Sequence, residues 1–66
     1  MKNSIRVQRA IKNITQPELA GLVNLSRQTI NTIESGKYIP STVLALKIAA
    51  IFGVSVEQVF ELEEGD

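Results

Sequence analysis

The chain has no cysteine, no histidine and no tryptophan among its 66 residues. Without cysteine or histidine it can form neither a disulfide nor a cysteine- and histidine-based zinc site. No apolar run reaches the roughly 18 residues that a transmembrane helix needs, and residues 1–6 lack the apolar stretch of a signal peptide. We therefore expect a cytoplasmic protein with no cofactor, no metal and no membrane contact, and the composition implies no small-molecule ligand.

Groups suited to catalysis are equally scarce. The closely spaced acidic residues all follow residue 56, and no histidine or cysteine is present to act as a base or nucleophile. We therefore expect a binding protein and not an enzyme. A chain of this length forms one domain with a small core, and its expected stability is about 3–5 kcal/mol.

The formal net charge is zero, but the charges are segregated along the chain. All seven basic residues lie within residues 1–55, where only Glu18 and Glu34 oppose them, which leaves +5. Residues 56–66 hold the other five acidic residues and no basic one, which gives −5. This asymmetry favours a cationic face with an acidic end directed away from it, although an ordinary solvated surface would look similar. We divide the chain into a domain at residues 1–60 and a short acidic tail at residues 61–66.

Hydroxyl residues mark most of the expected helix starts, because their side chains can cap the first free backbone N–H groups. Glu18 completes a capping box with Thr15, and Gln58 does so with Ser55. On the first helix we expect Ile5, Val7 and Ile11 to face partly inward. The five helices are predicted over Ser4–Lys12, from Thr15 to a turn at Asn24, from Ser26 to Ser35-Gly36, over Thr42–Phe52 up to Gly53, and over Val56–Phe60.

The second and third predicted helices meet at a tight corner. Leu19, Ala20 and Val23 share one side of the second helix, and Ile30 and Ile33 share one side of the third. Asn24 occupies the turn, where a left-handed residue is usually needed and Asn is the best choice after glycine. This pattern predicts a helix-turn-helix, whose second helix lies in the DNA major groove.

Residues spread along the chain extend this pattern, among them Thr15-Gln16, Glu18-Leu19-Ala20, Ser26-Arg27-Gln28-Thr29-Ile30, Gly36-Lys37, Pro40-Ser41 and Phe52-Gly53-Val54-Ser55. They resemble the lambda-repressor/Cro-type helix-turn-helix family, also called the Xre family, over Ile5 to Phe60. The resemblance implies an all-α, compact five-helix domain with the helix-turn-helix at helices two and three. It also implies a sequence-specific transcriptional regulator that binds double-stranded DNA. Asn24 departs from the family's usual glycine, and the low net charge is a second departure.

Within this framework, four residues on the polar face of the third helix are candidates for reading bases. Arginine can pair with guanine O6 and N7, and glutamine with adenine N6 and N7. The threonine can present its methyl group to thymine. An ordinary solvated face is the alternative interpretation. The predicted base-reading residues are Arg27, Gln28, Asn31 and Thr32.

Other residues are expected to contact the DNA backbone or to hold the domain together. The resemblance implies a phosphate contact for Gln16 and an ion pair between Arg9 and Glu34 that ties the first helix to the third. For Ser26 and Ser41, helix capping is the stronger expectation and phosphate contact a secondary one. The full set of predicted phosphate contacts is Gln16, Ser26, Lys37, Tyr38, Ser41 and Thr42.

The last helix carries more apolar residues than it needs to dock onto the core. We expect some of them to face a second copy of the chain, because one helix reading about four base pairs cannot specify an operator alone. The alternative is that all of them close the core. The predicted dimer residues are Val56, Val59, Phe60 and Leu62. The leading hypothesis is thus a homodimeric repressor of a near-palindromic operator, and the alternative is a protein-binding module such as an antitoxin.

Overall fold

Hydroxyl side chains cap three of the five helices, as the sequence predicts, whereas the hydroxyls of Ser4 and Ser55 make no cap hydrogen bond. The computed structural model describes all 66 residues. Thr15 Oγ1 accepts the backbone N–H of Glu18 at 3.2 Å, and the Glu18 carboxylate accepts the N–H of Thr15 at 3.0 Å, which completes the capping box. Ser26 and Ser41 accept the backbone N–H three residues further on, at 3.1 and 3.2 Å. At Ser55 the Gln58 side chain accepts the backbone N–H at 2.8 Å.

The chain forms five helices and one small two-stranded sheet. The helical architecture agrees with the predicted all-α class, and the two strands, each of two residues, are an addition to it. The elements are β1 (Lys2–Asn3), α1 (Ile5–Lys12), α2 (Gln16–Leu22), α3 (Arg27–Glu34), α4 (Thr42–Phe52), α5 (Val56–Val59) and β2 (Phe60–Glu61).

Each of the first four helices ends at a residue in the left-handed conformation. Asn24 has φ 57°, as predicted, and Asn13 has the same value after α1. Glycine serves the other two helices, with φ 80° at Gly36 and 69° at Gly53. At every one of these ends the next residue donates its N–H back to a carbonyl five residues earlier, which satisfies a free carbonyl of the last turn.

The helices enclose one apolar core. No buried side-chain nitrogen or oxygen lacks a hydrogen-bond partner. Leu44, Ile51 and Val56 pack against this core while partly exposed. The buried apolar residues are Ile5, Leu19, Ala20, Val23, Ile30, Ile33, Ile48, Ala49, Phe52, Val59 and Phe60.

Two expectations for α1 are wrong. Val7 and Ile11 are 58% and 67% exposed, whereas Ile5 is fully buried. The reason is the position of Arg9, which reaches the buried Glu34 and so directs its own side of α1 inward. At 3.6 residues per turn, Val7 and Ile11 lie about 200° and 240° round the helix from Ile5. They therefore face solvent.

The two ends of the chain form an antiparallel clasp. Lys2 pairs with Glu61 and Asn3 with Phe60. The backbone N–H of Ser4 donates to the carbonyl of Val59 at 2.8 Å. Phe60 was expected to end the fifth helix, but its φ of −118° and ψ of 138° are extended, so α5 ends at Val59. The possibility that Leu62 is held against the domain is also wrong, since it is 75% exposed.

The acidic residues after β2 bind the start of the chain. The Met1 amino group lies 3.2 Å from Glu63 and 3.3 Å from Asp66. The hydrogen bond to Glu63 raises the pKa of this amino group above its ordinary 8.0. The backbone N–H of Glu63 lowers the pKa of the Asp66 carboxyl below its ordinary 3.8. A separate acidic tail at residues 61–66 stays a prediction, and its first residue belongs to β2.

Candidate nucleic-acid interface

The corner between α2 and α3 has the expected geometry. Asn24 turns the chain, and the N–H of Leu25 donates to the carbonyl of Ala20 at 2.9 Å. Leu25 packs against the core from within this corner. Ile30 and Ile33 on α3 are 0% and 1% exposed. The apolar side of α3 is thereby fixed against the domain, which leaves its other side in solvent.

The solvent side of α3 is entirely polar. An open cleft on the surface is lined only by the four predicted base-reading residues, Arg27, Gln28, Asn31 and Thr32. The hydroxyl of Thr32 donates to the backbone carbonyl of Gln28 at 2.8 Å, so its hydrogen is already used within the helix. The structure therefore gathers all four side chains on one exposed face.

The loop after α3 borders this face. Tyr38 is half exposed and lines a second cleft together with Ser26, Gln28 and Thr32. Lys37, Ser41 and Thr42 are all exposed. Ser26 and Ser41 use their hydroxyl oxygens as helix caps.

A polar network lies behind the exposed polar face of α3. Arg9 Nε and Nη2 donate to the two oxygens of Glu34 at 2.8 and 3.1 Å, and the Glu34 side chain is only 1% exposed. Arg9 also donates to the carbonyl of Ile14 at 3.2 Å. Gln16 Nε2 donates to Glu34 Oε1 at 3.2 Å and to Asn31 Oδ1 at 3.3 Å. One carboxylate thus joins α1, α2 and α3.

Sequence reasoning missed two residues near this face. Arg6 is 78% exposed, lies 3.7 Å from Glu34, and lines a cleft with Arg9, Gln16 and Arg27. Its place one turn before Arg9 was the available signal. Asn3 donates from Nδ2 to the carbonyls of Ile33 and Glu34 at 2.9 and 3.3 Å, and so caps the last turn of α3. No local pattern indicated that contact.

The four predicted dimer residues do not lie together on the surface. Val59 and Phe60 are 2% and 8% exposed and belong to the core of a single chain. Val56 is partly buried, and Leu62 is the most exposed of the four. Burial alone thus accounts for the apolar character of Val59 and Phe60.

The acidic end of the chain lies beside the last turn of α3. Met1 and Glu63 line a cleft together with Glu34, Ser35 and Gly36. Arg27 opens the same helix, about 12 Å away along its axis at 1.5 Å per residue. The negative charges therefore lie at the opposite end of α3 from its arginine.

The structure contains neither a metal-binding cluster of side chains nor a helix that could span a membrane. No group of three or more acidic, histidine or cysteine side chains is arranged to hold a metal ion. The helices of the structure are all too short or too polar to cross a membrane.

Comparisons with known proteins agree with this geometry. Residues 5–59 match the family model described as Helix-turn-helix. The chain is 50% identical over 66 residues to an uncharacterized HTH-type transcriptional regulator of Methanocaldococcus jannaschii, with all of both chains covered. It is 45% identical over 64 residues to the uncharacterized HTH-type transcriptional regulator YgzD of Bacillus subtilis, with 97% of each covered.

A solved structure supports the same conclusion. The restriction-modification controller protein C.AhdI from Aeromonas hydrophila superposes with a TM-score of 0.75 and 30% identity over 85% of each chain. The family match covers the helical domain from the start of α1 to the end of α5. The chain belongs to the lambda-repressor/Cro-type (Xre) helix-turn-helix family of DNA-binding transcriptional regulators.

Proposed function

We propose that this protein is a homodimeric repressor that inserts α3 into the major groove of a near-palindromic operator. The observation that carries the proposal is the exposed face of α3, which presents four polar side chains and no apolar one. Any surface helix has a polar outer face, and base reading is favoured here because an arginine, two amides and a threonine match the groups on base edges. The similarity to a controller protein supports a regulatory role. A DNA-binding regulator must be in the same compartment as its DNA, so we propose that this protein is cytoplasmic.

The proposed base contacts follow from side-chain chemistry. Arg27 offers a bidentate donor pair to guanine, and Gln28 a donor and acceptor to adenine. The Gln28 amide makes no hydrogen bond within the protein and is free to do this. Thr32 has its hydroxyl hydrogen bonded to the helix, which leaves its methyl group for thymine.

Contacts to phosphates are proposed around the rim of this face. Lys37 supplies the only full positive charge in the loop after α3, and Tyr38 supplies a phenolic donor beside Ser26. Ser41 and Thr42 open α4, where backbone N–H groups are available to an anion. Such contacts set the position of the protein on DNA and carry little sequence information.

The proposed dimer places two copies of α3 about 34 Å apart, one turn of B-DNA. Because Val59 and Phe60 are buried in one chain, Val56 and Leu62 are the accessible members of the predicted interface. A dimer doubles the length of DNA read, which a single short helix needs in order to be specific.

Selection from random DNA duplexes tests the proposed function. The wild-type protein is expected to enrich a near-palindrome with half-sites one helical turn apart. Binding to every single-base variant of that site is then measured for Arg27→Ala and Gln28→Ala. Each variant is expected to cost about 1–3 kcal/mol on the best site and to relax preference at one position, a different one for each. Equal losses on all sites would contradict base reading, and no enrichment at all would favour a protein-binding module.

A further inference from the structure

A series of side-chain hydrogen bonds runs from Glu34 through Gln16 to Asn31. The buried carboxylate of Glu34 determines which group donates and which accepts in each of these bonds. Both of its oxygens accept hydrogen bonds from Arg9, at 2.8 and 3.1 Å. A carboxylate paired in this way with a guanidinium only accepts hydrogen bonds. Any third polar group in contact with it must therefore present a donor.

Gln16 is that third group, and its amide has one donating and one accepting end. The atom that lies 3.2 Å from Glu34 Oε1 must be the nitrogen, since the amide oxygen would bring two acceptors together. The same nitrogen lies 3.3 Å from the Asn31 side chain. Asn31 must therefore present its oxygen to Gln16, which leaves Nδ2 as its free end.

Asn31 Nδ2 is left in a solvent-open cleft. Asn31 is exposed and lines this cleft with Arg27, Gln28 and Thr32, the face proposed to enter the major groove. We infer that Gln16 is a positioning residue that makes Asn31 a hydrogen-bond donor toward DNA. Asn31 then reads an acceptor on a base edge, which is N7 or O6 of guanine, N7 of adenine or O4 of thymine. Cytosine, which offers an amino donor there, is excluded.

This inference rests on the proposed function, and it replaces the phosphate contact that the family resemblance implies for Gln16. Nε2 of Gln16 makes both of the contacts described, and its amide oxygen cannot donate to a phosphate. A phosphate contact by this side chain would require one of the two bonds to break. Asn31 also differs from Gln28, whose amide is free to pair with adenine through both of its ends.

Three variants of the full chain separate the roles, each assayed against all single-base variants of the selected operator. Asn31→Ala identifies the position that Asn31 reads, where preference is expected to fall about five- to tenfold, the range for one hydrogen bond to a base. Gln16→Met, which removes the donor, is expected to relax preference at that same position and not at the Gln28 position. Adding Gln16→Met to Asn31→Ala should relax the position no further.

Gln16→Lys is the matched control. Its ammonium group can donate to both Glu34 and Asn31, so preference at the Asn31 position is expected to persist. Melting curves of each variant separate loss of folding from loss of reading. Equal loss by Gln16→Met on all sites, as for a phosphate contact, would overturn the inference, as would loss of preference in Gln16→Lys. Absence of any specific site for the wild type would instead refute the proposed function.

Discussion

At the scale of single residues, Glu34 is the one side chain that joins α1, α2 and α3 through hydrogen bonds. Its carboxylate is almost fully buried and is bonded to Arg9 from α1 and Gln16 from α2. Removing one partner of a buried ion pair leaves a charge uncompensated, and this typically costs about 3–5 kcal/mol. For a domain of this size that loss is comparable with the whole stability.

A double-mutant cycle tests this role. Glu34→Gln and Arg9→Met are each expected to lower the free energy of unfolding by about 3 kcal/mol, because each leaves its partner unpaired. The double variant is expected to lose less than the sum, as measured by urea unfolding at low temperature. Arg6→Met is the control, since Arg6 is exposed and lies 3.7 Å from the carboxylate. Additive losses would total about 6 kcal/mol, more than the expected stability, so a double variant that does not fold at all would show that Arg9 and Glu34 act independently.

Sequence reasoning reached the positions of these residues but not their connections. The family resemblance predicted the pairing of Arg9 with Glu34. It could not show that Gln16 bonds to Asn31, because that contact depends on side-chain rotamers on two different helices. The apolar character of Val7 and Ile11 led to a wrong expectation that they face inward. Hydrophobicity alone does not reveal that an arginine occupies the inner side of α1.

At the scale of elements, the helix ends were more predictable than the faces. Capping by Thr15, Ser26 and Ser41, and the left-handed turn at Asn24, depend on a few neighbouring residues. Such local signals can be read directly from a sequence. The two strands have two residues each, too few to show an alternating pattern. They form only because the folded helices bring them together.

Asn24 allows a direct test of the turn between α2 and α3. Its φ of 57° disfavours residues with a Cβ, at about 1–2 kcal/mol for most of them. Asn24→Ala is expected to lower the free energy of unfolding by about 1 kcal/mol, whereas Asn24→Gly should keep or raise it. Thermal melts measure both variants. Asn13, with the same φ after α1, is a matched second site that should respond alike. A stable Asn24→Ala variant would contradict the strain assigned to this turn.

At the scale of the whole molecule, opposite charges lie at the two ends of α3. The helix begins at Arg27, whereas Glu63 and Asp66, which bind the Met1 amino group, lie beyond its last turn. A second copy that approaches through Leu62 would meet the molecule at this acidic end. The proposed dimer would then keep the negative residues away from the start of α3.

The assembly prediction uses Leu62, which can be changed without disturbing the core. Leu62→Lys is expected to give a folded monomer by sedimentation at micromolar concentration, where we expect the wild type to be a dimer. Its operator affinity should fall about 100-fold, because the second half-site no longer adds to the first. Val7→Lys is the control, at a comparably exposed position on α1. A monomeric wild type, an intact Leu62→Lys dimer, or a dimer separated by Leu46→Lys instead would contradict this interface.

The clasp between the chain ends also sets an order of folding. The hydrogen bond from Ser4 to Gln58 joins residues 54 positions apart, whereas the contacts between α2 and α3 are local. Distant contacts carry a larger entropy of loop closure, so we expect the clasp to close after the helices have docked and to open before they separate. Faster amide exchange at Ser4 than in α3 would reveal that opening. Because Asn3 bonds to the carbonyls of Ile33 and Glu34, each opening also removes this side-chain cap from the last turn of α3.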